Sequence, residues 1–278
     1  MPVCGGFPVC GGFPGEGGSV AVAGLVALTV ARSCHDRHVR RQLRTVTEAL
    51  PTAIDRHQGL AYSLWVPSSP PRAGVIVLHG AGSCKESHHD YARALLAAGL
   101  ATVTFDQRGH GDSDGPMDDR PLEDIRSIGE FLRSACRSPT LPLGLRGSSM
   151  GGYFAILAAS RLEARVVVAI CPASAEGLRR GLRDRTLRFD ADVEKLDTFL
   201  ADHDLHAAVA NLEMPVLLLH AAGDEQVPVE HSRELSKRLR SPTSRLIVLP
   251  GGHHRSIQHD PELQAVSVRF IEKAIAAD

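Results

Sequence analysis

Three residues that together can split an acyl bond occur in one order along this 278-residue chain: Ser149, Asp224 and His254. Ser149 lies in Gly147-Ser148-Ser149-Met150-Gly151, a G-x-S-x-G pattern. A serine nucleophile needs a base to take its proton, and histidine titrates in the range that suits the task. A carboxylate must then orient the imidazole and stabilise its cation. Gly223-Asp224-Glu225-Gln226-Val227-Pro228 offers the carboxylate, and Gly251-Gly252-His253-His254 offers the base, from either of its two imidazoles. The oxyanion of a tetrahedral intermediate also needs hydrogen-bond donors. His79-Gly80-Ala81-Gly82 can bring the Ala81 N–H opposite that of Met150, the residue after the serine. A second match to the serine pattern, Gly111-Asp112-Ser113-Asp114-Gly115, leads into Pro116 and not into a helix, so Ser113 reads as a loop residue.

These residues work together only if the fold gathers them at one rim. Gly74–His79, Leu100–Phe105, Leu141–Leu145, Arg165–Ile170, Val216–His220 and Arg245–Leu249 are short apolar runs, as strands covered on both faces are. Helical stretches separate them: one around Tyr91, Leu95 and Leu96, then Leu122–Cys136, Gly151–Arg161, Val229–Leu239 and Pro261–Ala276. A hairpin, Ala53–His57 and Leu60–Val66, turning at Gln58-Gly59, precedes them. The alternation predicts an α/β fold with a mostly parallel central sheet and helices on both faces. Ligand sites in such sheets lie beyond the carboxyl ends of the strands. The oxyanion loop, Ser149, Asp224 and His254 each follow a different strand. The charge-rich insert at about 173–213 reads as a small helical cap carrying Arg179, Arg180, Arg183, Arg185 and Arg188. A solvated, charge-paired helical face accounts for it, and an Arg-lined mouth for an anionic leaving group such as coenzyme A is the alternative.

With Leu78-His79-Gly80-Ala81-Gly82, Asp106-Gln107-Arg108-Gly109-His110-Gly111-Asp112-Ser113, Gly147 to Gly152, Gly223-Asp224 through Val227-Pro228 and Gly251-Gly252-His253-His254-Arg255 in place, residues 52–278 resemble the α/β-hydrolase-fold serine hydrolases. The resemblance is to the serine aminopeptidase/monoacylglycerol-lipase-like and dienelactone-hydrolase-like branches. It implies a catalytic triad of Ser149, Asp224 and His254, with His253 as the alternative base, and an oxyanion hole from Ala81 and Met150. It implies a structural role for the Asp106–Ser113 loop. Ala221 departs from the glycine that relatives usually carry after the strand histidine. The expected activity is cleavage of carboxylic esters of small or medium acyl size through an acyl-enzyme on Ser149. A thioesterase or aminopeptidase-like hydrolase with the same triad, and a non-catalytic binding protein, are the alternatives. The expectation includes neither a metal nor an organic cofactor.

Composition narrows the partners. A net charge of −1 and 4% aromatic residues lack the basic footprint and the stacking platforms of nucleic-acid binders. The expected partner is a small-molecule ester or thioester, with a homodimer as a possibility of assembly. The six cysteines are scattered without a C-x-x-C pair, which suits reduced thiols and a cytoplasmic setting. His88-His89-Asp90 and His203/His206 lack metal-ligand spacing and read as solvated or capping histidines. Residues 1–51 read as a poorly ordered extension: Val3–Pro8 repeats as Val9–Pro14, both Gly- and Pro-rich. The apolar run at 19–31 falls short of the ~20 residues that cross a bilayer, so no stable insertion is expected. Membrane association through that run is the alternative.

Overall fold

The computed structural model describes residues 48–277, and the expectations for residues 1–47 lie outside the described residues. Eight strands form one sheet: β1 (Ala53–His57), β2 (Leu60–Trp65), β3 (Gly74–Leu78), β4 (Ala101–Phe105), β5 (Leu143–Ser148), β6 (Val166–Ile170), β7 (Val216–Ala221) and β8 (Arg245–Leu249). Their spatial order is β1-β2-β4-β3-β5-β6-β7-β8. The pairs β1–β2 and β2–β4 are antiparallel and every other pair is parallel. Gln58 and Gly59, at φ 50° and 81°, make the tight hairpin turn between β1 and β2, whose two left-handed residues match the twist of the strands.

The helices are α1 (His89–Ala97), α2 (Pro121–Ala135), α3 (Met150–Ala158), α4 (Ala175–Arg183), α5 (Val193–Asp202), α6 (Leu205–Ala210), α7 (Val229–Ser236) and α8 (Pro261–Ile275). Alternate strand residues feed two cores. Ile76, Leu78, Val103, Phe105, Leu145 and Val167 pack with Leu122, Ile125 and Ile128 of α2 and with α3. Val75, Val77, Val168, Ile170 and Leu219 pack with Tyr91 and Leu95 of α1 and with Val268 and Ile271 of α8. Each large side chain so buried stabilises the fold by roughly 1.5–3 kcal/mol. This is the mostly parallel, doubly covered sheet that the alternation predicts, in the α/β-hydrolase fold that the resemblance implies. The insert between β6 and β7 holds α4, α5 and α6, and α4 and α5 pack on each other.

The structure corrects two readings of the sequence. The fifth strand runs from Leu143 to Ser148 and not from Leu141 to Leu145; Pro142 lies ahead of it, where only its carbonyl is used, by the Gly74 N–H at 2.9 Å. The strand therefore carries the charged Arg146 into the interior. His88 is no solvated histidine: at 1% exposure it faces the buried Arg146 guanidinium, Nδ1 to Nη1 2.8 Å. Its neighbour His89 bonds Ser63 Oγ at 3.1 Å. His203 does cap, its Nδ1 donating to the Phe199 carbonyl at 2.7 Å. No helix among the described residues is long and apolar enough to cross a membrane.

Candidate active site

Because β5 ends at Ser148 and α3 begins at Met150, the reversal between them falls on Ser149. Its backbone lies at φ 53° and ψ −118°, a strained conformation for a residue with a side chain, costing on the order of 1–3 kcal/mol. Three backbone hydrogen bonds hold it there. Its N–H donates to the Ile170 carbonyl at 2.8 Å, and its carbonyl accepts from Tyr153 at 3.1 Å and Ala173 at 3.0 Å. The turn closes only because residues 147 and 151 lack side chains. A Cβ on Gly147 would run into the Gly151 carbonyl, and one on Gly151 would press on the carbonyls of Leu78 and His79. Gly151→Ala should therefore destabilise the protein by about 3 kcal/mol or more, since backbone and not a flexible side chain must give way. Urea unfolding checks this, and an unchanged midpoint would show that the turn is looser than the contacts imply.

The oxyanion loop follows β3. Its Gly80 backbone abuts the serine, with a Cβ there only 3.3 Å from the Ser149 Cβ. His79 braces the loop: Nδ1 donates to the Gly80 carbonyl at 2.8 Å, while Nε2 accepts the Gln107 N–H at 3.0 Å. Burial lowers the pKa of this imidazole to about 3, so it stays neutral. Among the described residues the Ala81 N–H makes no backbone hydrogen bond. The Met150 N–H opens α3, where the helix supplies no acceptor. The Met150 amide, next to the serine at a helix N-terminus, can receive a developing negative charge.

Asp224 and His254 meet on the loops after β7 and β8. Positive φ at Gly251 (86°) and Gly252 (77°) turns the second loop back, and Gly223 lies so close that a Cβ would strike the Gly252 carbonyl. His254 Nδ1 lies 2.7 Å from Asp224 Oδ2, and because the carboxylate only accepts, Nδ1 carries the hydrogen and Nε2 keeps its lone pair. Oδ1 accepts from the Gln226 and Val227 amides, each at 2.9 Å. Burial by itself would raise the pKa of Asp224, but hydrogen bonds from His220, His254 and these amides hold it far below the usual carboxylate range. His254 is 8% exposed, and its own N–H donates to Glu225 Oε2 at 3.2 Å. His253 is exposed, and its Nδ1 takes only the Arg255 N–H at 3.3 Å. Among the described residues Ser149 Oγ makes no hydrogen bond to His254 Nε2; such contacts are often long before substrate tightens them.

Ser113, the other serine in a G-x-S-x-G pattern, is consumed by structure. Its Oγ donates to the Asp106 carbonyl at 2.5 Å and accepts the Ala61 N–H at 2.8 Å. Asp106 itself is buried, taking the Lys85 N–H at 2.7 Å and Nζ at 2.9 Å. The segment after α4 is tied down near this loop: the Asp190 N–H donates to the Gly109 carbonyl at 3.0 Å and the Met117 N–H to the Asp190 carbonyl at 2.9 Å. Phe189 thereby stacks on His110, centroids 4.4 Å apart, and His110 leans on His79 at 4.8 Å. Of the arginines in the insert, Arg179 is bound at 2.9 Å by both oxygens of Asp197, while Arg180, Arg183, Arg185 and Arg188 are exposed.

Three residues beside the carboxylate escaped the sequence reading. His220 and Glu225 are its immediate neighbours, and Cys171 is a buried thiol that hydrogen-bonds Asp224. Cys171 Sγ, an Asp224 oxygen and a His254 nitrogen lie within 4.8 Å of one another, a set that could ligate a metal. Burial, with the Asp224 charge adding, pushes the thiol pKa far up, so the thiol beside Asp224 is neutral. No residue type marked Cys171 in advance; only its place directly after β6 did.

Residues 69–189 match the family model described as serine aminopeptidase, S33. A monoacylglycerol lipase from Mycolicibacterium smegmatis is 28% identical, the match covering 74% of this chain and 89% of that one. Among solved structures, the monoacylglycerol lipase of Paleococcus ferrophilus superposes with a TM-score of 0.61 at 22% identity, covering 79% of this chain and 99% of the other. Est1E from Butyrivibrio proteoclasticus, solved with ferulic acid bound, superposes with a TM-score of 0.62 at 22% identity, covering 82% and 98%.

Proposed function

We propose that this chain, which has the α/β-hydrolase fold and matches the serine aminopeptidase, S33 model over residues 69–189, is a serine hydrolase that cleaves carboxylic esters of small or medium acyl size. The observation that carries this is the strained backbone of Ser149 at the head of α3, which holds the hydroxyl out at the rim of the sheet where the Asp224–His254 pair also lies. In this reading Ser149 Oγ attacks the ester carbonyl carbon as His254 Nε2 takes its proton. Asp224 stabilises the imidazolium through the 2.7 Å bond to Nδ1. The amides of Ala81 and Met150 receive the oxyanion, at about 3–4 kcal/mol per donor. Collapse expels the alcohol, which takes the proton from Nε2 and leaves an acyl group on Ser149. Water then attacks with His254 as base, releasing the acid and restoring the hydroxyl. Monoacylglycerol lipase and esterase relatives support ester chemistry. The free thiols Cys84, Cys136 and Cys171 agree with a cytoplasmic site of action.

The test is a panel of p-nitrophenyl esters of increasing chain length, monoacylglycerols, acyl-coenzyme A thioesters and aminoacyl amides. Esters of short and medium chains should have the highest kcat/KM. Thioester or amide turnover as fast as ester turnover would overturn the ester reading. The exposed Arg180, Arg183, Arg185 and Arg188 give the thioester arm its rationale, since phosphates are what such a group would attract.

A further inference from the structure

His220 is the second-to-last residue of β7 and is fully buried. A buried imidazole at a strand end needs partners for both nitrogens, and the structure supplies three. Nδ1 lies 2.7 Å from Ser232 Oγ on α7. Nε2 lies 2.9 Å from the Val227 carbonyl and 3.4 Å from Asp224 Oδ2. The last two atoms only accept, so Nε2 carries the hydrogen and shares it between them, and Nδ1 accepts the Ser232 hydroxyl hydrogen.

We propose that His220, with its tautomer set by Ser232, is a positioning residue for Asp224. The proposal rests on the reading of Asp224 and His254 as acid and base. Val227 is held at both ends, its N–H by Asp224 Oδ1 at 2.9 Å and its carbonyl by His220 at 2.9 Å. The loop from 221 to 227 is thus closed into a ring whose purpose is the direction of one carboxylate. Oδ2 lies 2.7 Å from His254 Nδ1 and 3.4 Å from His220 Nε2. A second polar hydrogen beside that oxygen fixes its direction and draws electron density away from the bond to His254. His220 therefore aims Asp224 and tempers its hydrogen bond to His254.

Other titratable groups face this cluster. Cys171 reaches Asp224 from the end of β6, and Glu225 holds the His254 N–H. His231 on α7 lies beyond His220, with the ring of His206 of α6 edge-on to it at 5.7 Å. His253 and Arg255 flank the base on its own loop. All are unchanged in the variants below, so differences between variants report on His220 and Ser232.

The experiment measures kcat, KM and the pH profile of kcat/KM on a p-nitrophenyl ester for wild type, Ser232→Ala, His220→Met and His220→Gln. Loss of the donor or of its fixed tautomer should lower kcat by about tenfold, as loss of an orienting partner does elsewhere, with KM within about twofold. The acid limb should move upward by about half a pH unit, because a carboxylate freed of its second donor stabilises the imidazolium better. His220→Gln, whose side-chain amide can donate from the Nε2 position, should recover most of kcat and the wild-type limb. Wild-type behaviour in Ser232→Ala and His220→Met overturns the proposal. So does a loss of kcat without movement of the limb in which His220→Gln does no better than His220→Met, since that is packing alone. If His220→Met does not fold, Ser232→Ala decides: a lowered kcat with a moved limb supports the proposal, and wild-type kcat or an unmoved limb overturns it. Labelling of the wild type with a fluorophosphonate separates the two levels: an unlabelled Ser149 removes the hydrolase reading and this proposal with it, whereas a labelled one leaves that reading standing whatever His220 does.

Discussion

Ser149→Ala should abolish ester turnover, with kcat/KM down at least about a thousandfold, while the protein unfolds at nearly the wild-type urea concentration. Activity and fold separate here because Ser149 contributes to the fold through its backbone, whose three hydrogen bonds to Ile170, Tyr153 and Ala173 survive the change. The strain at φ 53° is the same for alanine as for serine. In the proposed mechanism what disappears is the atom that forms the acyl-enzyme, and the residual rate is what the oxyanion amides would provide alone. Ser113→Ala is the matching control, with the opposite expectation. That change removes the hydrogen bonds to the Asp106 carbonyl and from the Ala61 N–H, leaving a backbone amide and carbonyl short of partners, so about 1–3 kcal/mol of stability goes and turnover per folded molecule stays. An active Ser149→Ala variant, or an inactive but folded Ser113→Ala variant, would reverse the assignment of the nucleophile.

That two serines share one pattern and only one of them is displayed at the rim shows what the sequence can convey. The discriminating signal was context: Ser149 stands between an apolar strand and an apolar helix, whereas Ser113 runs into Pro116. The parallel strands were legible because a strand covered on both faces must be apolar throughout, as Val166-Val167-Val168-Ala169-Ile170 is. The fifth strand was mislocated for the same reason in reverse. Gly144, Arg146 and Gly147 do not look like such a strand, and Arg146 is tolerated inside only because Tyr91 lies 4.3 Å beneath its guanidinium and His88 and the Gln258 carbonyl accept from it. Those partners come from 58 and 112 residues away, and no local pattern encodes them. His220 and Cys171 were illegible on the same account: their meaning lies in what the neighbouring strand brings alongside. The preference for His254 over His253 came from resemblance, and in the fold it is His254 that points its Nδ1 at Asp224.

Lowering the pH from 7 to 5 should cost the fold about 4 kcal/mol, a large part of the roughly 5–15 kcal/mol that a domain has. Two fully buried imidazoles, His79 and His88, supply that figure, and His231, lowered by burial to about 4, adds to it with His110 and His89. His79 Nε2 accepts the Gln107 N–H, and His88 Nδ1 faces a guanidinium N–H of Arg146, so neither ring can add a proton without losing that bond and placing hydrogen against hydrogen. Burial, with the adjacent cation in the case of His88, lowers the pKa of His79 to about 3 and that of His88 well below its ordinary 6.5. The sign follows from which state takes up protons. Below 6.5 the unfolded chain protonates both rings and the folded chain neither, so the stability present above 6.5 is lost as pH falls toward 3, at about 1.4 kcal/mol per unit for each ring. Carboxylates held low by their partners, such as Asp90 and Asp118, add to the loss only nearer pH 4, which leaves the interval from 6.5 to 5 to the histidines. Urea unfolding at pH 7 and pH 5 measures the difference, and equal midpoints would mean that these rings are charged in the folded state or that it relaxes around them. Any direct effect of pH on the catalytic base separates in time from this loss of fold. Protonation of His254 reverses at once when an acid-treated sample is returned to pH 7, whereas activity lost through the His79 and His88 sites returns only as fast as the chain refolds.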